Sequence, residues 1–487
     1  MVKQEVLDNY EPTIGIECHV QLATKTKLFS GANNDARDEA PNTTVSPIDF
    51  GFPGVLPVLN KEAVTLAIKA GLAMNCEIAK VSRFDRKHYF YPDLPKGYQT
   101  TQLYHPIIGK GKIDIPTPNH EEFTVRIHHA HLEEDAGKLT HPAGKEYSLV
   151  DLNRAGTPLI EIVSEPDIHS AEQAKAYAQE LYLLMTYSGV THGDLYHGNM
   201  RFDVNVSVAK KGSKELGKRT EVKNLNSFKS VERAADYEIK RQIEILEKGD
   251  SVTQETRGWN DAKQKTFSQR SKEEAQDYRY MPDADIPPVV LSDTVVEDVK
   301  GAMPFLPPQY REKWEALGVD DSVITALLQD KSQAEIISKV QDKSDVATTK
   351  RIAHWFASTL ASDDESNSEK ESLSGASAES LIGLSEMVAK NELSSTAAKE
   401  VFLELLSGSS LSPKAIAEEK NLLQVSDEGA IAKIVDEVLA DPASQKAVQD
   451  IKAGNDKAIG FLVGQVMKQS KGKANPALAQ KLIRERI

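Results

Sequence analysis

The chain has 487 residues, 40% hydrophobic and 27% charged, with a formal net charge of -14. That length exceeds one ordinary core and predicts two to four domains, and the acidic balance argues against a protein that coats nucleic acid without selection. No apolar run approaches a membrane span, Met1-Val2-Lys3-Gln4-Glu5 has no signal core, and Cys18 and Cys76 are too few for a disulfide framework or a thiolate zinc site. The expected compartment is therefore reducing cytoplasm, with no membrane partner.

The first predicted element is a strand over residues 14–22. Alternation turns Ile16, Cys18, Val20 and Leu22 to one face and Glu17, His19 and Gln21 to the other. A carboxylate and an imidazole two residues apart on one face can hold a divalent cation jointly. A loop over 89–99 follows, stiffened by Pro92 and Pro95; its Tyr89, Tyr91, Asp93 and Lys96 are pre-placed for a ligand, and its tyrosines can stack on a base. A histidine-rich strand over 127–131 leads into Glu133-Glu134-Asp135. Acids beside imidazoles favour a cation, and this donor set suits magnesium or manganese better than calcium. The strand over 157–164 reads as buried on both faces and carries Glu161 among aliphatic neighbours. Such a carboxylate needs neutralising, either by an ion pair, with Arg154 as candidate, or by a metal.

Residues 200–208 form a period-two strand with Phe202, Val204, Val206 and Val208 on one face and Arg201, Asp203, Asn205 and Ser207 on the other, returning through Arg219–Val222. A helix is predicted over 231–248, capped by Ser230 and ended by Gly249, and Ser271-Lys272-Glu273-Glu274 has the capping-box pattern of a short helix. Clustered prolines over 282–288 end the strand-rich part. Helical patterns follow from Leu306-Pro307-Pro308 onward, at 310–317, 322–328, 352–360, 381–388 and 397–406. Residues 361–380 read as a surface loop and 407–410 as a Ser/Gly joint. In the last segment Gly460 and Gly464 are expected to let helices approach closely. Its basic end, including Lys468, Lys471 and Lys473, is either a solvated helical end or a phosphate-binding patch. The predicted class is α+β: a mixed or antiparallel-sheet cradle domain over 1–298, an all-helical domain over 299–410 and a small helical tail domain over 411–487.

No Walker-type or dinucleotide-binding glycine pattern is present, so an ATP site must be of another kind. Several of these stretches, in order along nearly the whole chain, resemble the B subunit of the heterotrimeric aspartyl/glutamyl-tRNA amidotransferase. They are 14–22, Pro53-Gly54-Val55-Leu56-Pro57-Val58-Leu59-Asn60, 89–99, 133–138, 148–167, Lys223-Asn224-Leu225-Asn226-Ser227-Phe228, Gln254-Glu255-Thr256-Arg257, Asp277-Tyr278-Arg279-Tyr280 and 460–476. The resemblance implies a magnesium-dependent kinase site in the cradle and helical domains that contact tRNA. It implies ATP-dependent phosphorylation of the side-chain carboxylate of Glu or Asp mischarged on tRNA-Gln or tRNA-Asn. Ammonia would come from the A subunit, an amidase, and the small C subunit would brace the complex.

By that resemblance Glu17, His19, Glu134 and Glu161 correspond to metal-site positions, with Glu133 the next candidate. Many relatives carry zinc-binding cysteines near 45–49; none is present here, and no zinc is expected. The family's paired glutamates before Arg201 are replaced by Tyr196-His197-Gly198-Asn199. Phosphoryl transfer to an already ionised carboxylate needs charge neutralisation and in-line placement more than a general base. The aromatic loop, Lys96 and the Asp203/Asn205 face can supply the placement. A stand-alone ATP enzyme acting on a small carboxylate and a non-catalytic tRNA scaffold are the competing classes. The long helical half with its basic end disfavours the first, and Glu161 disfavours the second.

Overall fold

This computed structural model describes residues 3–117, 123–271, 277–360, 375–424, 428–470 and 474–487. The chain divides into two units, Met1–Pro307 and Pro308–Ile487. Among the described residues no helix is long and apolar enough to cross a membrane.

The first unit carries the strands β1 (Tyr10–Gln21), β2 (Val81–Ser82), β3 (Asp85–His88), β4 (Tyr98–Thr101), β5 (Gly111–Ile115), β6 (Phe123–Glu134), β7 (Lys138–Thr140), β8 (Leu149–Asp151), β9 (Pro158–Ser164), β10 (Met200–Lys210), β11 (Thr220–Leu225), β12 (Glu255–Asn260), β13 (Lys265–Ser271), β14 (Met281–Pro282) and β15 (Val289–Val290). Eight form one sheet in the order β13-β12-β11-β10-β1-β9-β6-β5, antiparallel except for the β11–β12 pair. The strand read first from the sequence is thus the sheet's middle, with β9 and β10 on either side. A small sheet, β14-β3-β4, carries the aromatic loop as the tip of its β3–β4 hairpin.

Alternation gives the large sheet two unlike faces. Ile14, Ile16, Cys18 and Val20 of β1 are buried with Leu132, Ile160 and Ile162, and α2 (Lys61–Ala73), α3 (Ala171–Tyr187) and α4 (Phe228–Glu247) pack onto the same core. The helices start at side-chain caps: Asn60, Ser170 and Ser227 each accept a hydrogen bond from a first-turn N–H. The cap of α4 lies three residues before Ser230, the predicted one; Ser230 is a first-turn residue whose N–H donates to Ser227. Asp203, Asn205 and Ser207 on the polar face of β10 are themselves buried, so that face is not simply a solvated one. The unit opens on the short helix α1 (Gln4–Leu7) and continues through α5 (Asp293–Gly301), whose Val296 and Val299 pack on the same core. With helices on one face of a mixed sheet and a second, helical unit, the α+β class is the observed one.

The second unit is helical: α6 (Pro307–Trp314), α7 (Asp321–Leu328), α8 (Lys331–Lys343), α9 (Val346–Leu360), α10 (Ala378–Ala389), α11 (Ser395–Leu406), α12 (Pro413–Glu419), α13 (Glu428–Ala440), α14 (Gln445–Lys452), α15 (Ile459–Gln469) and α16 (Pro476–Arg486). The pattern over 310–317 is an α-helix to Trp314 and a 3-10 turn to Leu317, closed by Gly318 at φ 57°. Residues 378–380, read as the end of a loop, belong to α10, because Ser377 caps it. Residues 361–374 of that loop lie outside the described residues. So do 272–276, where a short helix was read; Ser271 ends β13. Helices α13, α15 and α16 share a core of Ile431, Val435, Leu462, Val466, Leu482 and Ile483. Gly460 and Gly464 take no part in a close approach: a Cβ on either would meet nothing within 4 Å. Both lie on the exposed side of α15.

Candidate active site on the polar face of the sheet

Register assembles the site. Glu161 of β9 lies directly opposite His131 of β6 on one side and His19 of β1 on the other, and His19 lies opposite Arg201 of β10. Neighbouring strands are about 4.8 Å apart, so opposed side chains on one face must meet. His19 Nε2 is 3.4 Å from Glu133 Oε1 and 3.8 Å from Glu161 Oε2. His131 Nε2 is 3.2 Å from Glu161 Oε2 and 3.8 Å from Glu133 Oε2. His19, Glu133 and Glu161 offer donor atoms all within 4.8 Å of one another.

Burial alone would discharge these imidazoles. The neighbouring carboxylates reverse that: hydrogen bonding and the charges of Glu133 and Glu161 hold both His19 and His131 at about 9. Burial opposes ionisation of Glu133 and Glu161 too, but the two histidines keep both carboxyls below their ordinary range. The two imidazoles and the two carboxylates thus offset each other's cost of burial. His131 Nδ1 is buried without a hydrogen-bond partner. The donor set, imidazole nitrogen with carboxylate oxygen, fits a magnesium- or manganese-type cation, whose arrival would displace the ring protons.

A second cluster lies beside it. Glu17 is opposite Asp203, and Asn205 is opposite Glu221. Glu17, Asp203 and Glu221 again offer oxygens within 4.8 Å of one another. Here the counter-charge is Lys223, whose Nζ is 2.9 Å from Asp203 and 2.8 Å from Glu221. Asn205 Nδ2 donates to Glu17 at 3.0 Å, while Asn205 Oδ1 is buried and unpartnered. Burial, then the charges of Glu161 and Glu221, push the Glu17 carboxyl up.

Glu134 is placed elsewhere. It follows Glu133 in β6 and turns to the opposite face, where it pairs with Lys96 and accepts the Thr100 N–H at 2.9 Å. Arg154 pairs with Asp135 at 3.3 Å rather than with Glu161, and Arg201 donates to the same carboxylate at 2.9 Å. Tyr89 is half-buried, and its hydroxyl is raised by burial and by Asp93 and Glu133. Tyr91 is exposed, and the Asp93 carbonyl accepts the Gly137 N–H at 2.8 Å. The segment 45–49 is closed by a buried ion pair: Lys27 Nζ is 3.1 Å from Asp49 Oδ2, which also accepts from Ser46. Gly156, at φ 81°, makes room for it, since a Cβ there would lie 2.5 Å from Asp49 Oδ1. His197, in the replaced segment before Arg201, pairs with Asp194.

The sequence matches the family described as GatB/GatE catalytic domain over residues 12–297 and the GatB domain over 335–487. It is 46% identical to the B subunit of the aspartyl/glutamyl-tRNA(Asn/Gln) amidotransferase of Persephonella marina over 477 residues, 98% of this chain and 99% of that one. The chain belongs to the GatB family. The corresponding B subunits of Hahella chejuensis (46% identical) and Pseudomonas fluorescens (44%) are matched equally completely, over 98% of this chain and 99% of each. The family is that of a multi-subunit amidotransferase acting on aspartyl- or glutamyl-tRNA, as those names state.

For this GatB-family chain the sequence reading missed His131, Glu221 and Lys223 as members of the site. His131 and Glu133 share a face at i, i+2, which was legible. Glu221 and Lys223 depend on the β10–β11 register, which was not. Of the three tail lysines, Lys468 is exposed in the last turn of α15, and Lys471 and Lys473 lie outside the described residues.

Proposed function

We propose that the chain is the ATP-dependent, transamidating component of a heterotrimeric, glutamine-hydrolysing aminoacyl-tRNA ligase of the cytoplasm. The observation that carries this reading is the His19–Glu133–Glu161 constellation on three adjacent strands, inside a chain that aligns end to end with amidotransferase B subunits. In the proposed reaction the side-chain carboxylate of Glu or Asp on mischarged tRNA-Gln or tRNA-Asn attacks the γ-phosphorus of ATP. ADP leaves, and an acyl phosphate forms. Ammonia, delivered from the amidase (the A subunit), attacks the carbonyl carbon, and inorganic phosphate leaves.

Magnesium would be held by His19, Glu133 and Glu161, with Glu17, Asp203 and Glu221 as a second set of ligands. It would supply charge neutralisation at the β- and γ-phosphates. The protein's own contribution is placement. The sheet fixes the acids, Lys223 and Arg201 offer cations at the edges of the row, and buried walls limit water around the developing charge. Glu134, poised with Lys96, contributes from the other face of β6. Tyr89, Tyr91, Asp93, Lys96, Asp203 and Asn205 are the proposed nucleotide-side contacts. Lys468, Lys471 and Lys473 are proposed to touch tRNA phosphates, adding salt-dependent affinity without base readout. The small C subunit completes the assembly.

The test is conversion of Glu-tRNA and Asp-tRNA by the chain with and without its co-purified partners, with ATP, magnesium and glutamine each omitted in turn. The reading requires amide formation that depends on ATP and on the partners. Product formed without ATP, or robust glutamine hydrolysis by this chain alone, would refute it.

A further inference from the structure

The hairpin tip between β3 and β4 and the segment that leads into β14 carry large aromatic groups that the acidic row does not use. Phe90 is 75% exposed. Its ring is seated on Gly97, at φ 75°, where a Cβ would come within 3.1 Å of the ring edge. Arg279 is exposed and places its guanidinium 5.9 Å from the Phe90 ring centroid. Its φ of 42° is rare for a residue with a long side chain and costly without support. Two hydrogen bonds hold it there: Arg279 N–H donates to Asp277 Oδ1 at 3.0 Å, and its carbonyl meets His88 Nδ1 at 2.9 Å. Lys87 Nζ sits 4.9 Å from the Tyr278 ring centroid. Tyr280 is half-buried, with its ring centroid 6.2 Å from that of Tyr278.

We propose that this rim is a subsite for the single-stranded 3′ end of an RNA, with a base stacked on Phe90 and an adjoining phosphate on Arg279. The proposal rests on the tRNA-amidating reading given above. Cations alternate with rings here, on a chain of net charge -14, and that alternation complements stacked bases joined by phosphates. Only unpaired bases offer a free face to such a ring, so the ligand is an end or loop rather than a duplex. Of the two, an end fits the reading given above, in which the reacting amino acid is carried on the terminal ribose. An adenine could also come from ATP, and the experiment separates the two sources.

The full-length chain is titrated with a fluorescent single-stranded RNA ending in CCA, and the assembled complex is assayed for its KM for ATP. Phe90→Ala should weaken RNA binding about tenfold, the loss of one stacked base. Phe90→Trp should retain binding, and Arg279→Ala should weaken it and flatten its salt dependence. The KM for ATP should not change in any of these variants. Unchanged RNA affinity in Phe90→Ala overturns the proposal. So does a raised KM for ATP with RNA affinity intact, which would assign the ring to the nucleotide. A chain that loses RNA affinity on Phe90→Ala but shows no ATP-dependent amidation upholds the subsite and refutes the function proposed above.

Discussion

The two units treat charge in opposite ways. In the sheet unit, carboxylates, imidazoles and lysines lie in the interior: Glu133 and Asp203 are buried, and Lys27 is wholly inaccessible. In the tail helices the interior is apolar, and ion pairs such as Arg484–Asp456 and Arg486–Asp436 lie in solvent. An exposed pair contributes about 0–1 kcal/mol and is screened by salt. A buried charge costs far more unless it is paired, so its retention points to chemistry or to specificity. The contrast is between a unit that keeps charge in its interior and a tail that keeps it at the surface.

The largest expected effect is at the acidic row. Glu161→Ala should lower ATP-dependent amidation by the assembled complex about 100-fold or more, because it removes one of the two carboxylates that lie against both histidines. Glutaminase activity of the complex should stay measurable. Amidation within tenfold of the parent would move the reaction away from this cluster.

Next comes Lys27. Lys27→Met leaves the Asp49 carboxylate buried without its partner. Denaturant unfolding should show a loss of about 3–5 kcal/mol, the usual result of removing one side of a buried pair. Adding Asp49→Asn should restore most of it; a strictly additive double variant would show that the pair is not coupled.

Lys223 is a softer case, since its side chain is about one third exposed. Lys223→Met should cost about 1–3 kcal/mol, less than a fully buried pair. If the three acids form a cation site, millimolar magnesium should raise the melting temperature of this variant more than that of the parent. Equal shifts in the two proteins would show that the cation does not enter between Glu17, Asp203 and Glu221.

In the tail the sign reverses. Gly464→Ala, on the open side of α15, should stabilise by about 1 kcal/mol through helix propensity alone. A destabilised variant would mean that a neighbour does pack on that glycine.

Much of the sheet unit was legible because it obeys one strong period. The two-residue alternation of β1 and β10 sorted Cys18 from His19 and Val204 from Asp203 correctly. Less was legible in the helices: α8 went unread, and the cap of α4 was placed at Ser230 instead of Ser227. Several serines near one helix start are equally able caps, and local sequence does not choose among them. Which of two adjacent acids meets His19 was not legible either, because that depends on the register of β6, β9 and β1. Glu133 and Glu134 are alike in composition, and only strand phase sends one to His19 and the other to Lys96.

By itself the sequence determined the α+β class, the central strand with its apolar and polar faces, and, through motifs spread along its length, the family. Those depend on local periodicity and on residue identity, which the chain carries in one dimension. The tertiary structure decided which acids share a cation-sized space, that His131 joins His19 around Glu161, that Lys223 stands among Glu17, Asp203 and Glu221, and that Arg279 comes to rest over Phe90. Each of these joins residues far apart in the chain, the first three through strand register. A shift of one residue in any ladder would turn the same side chains to the other face.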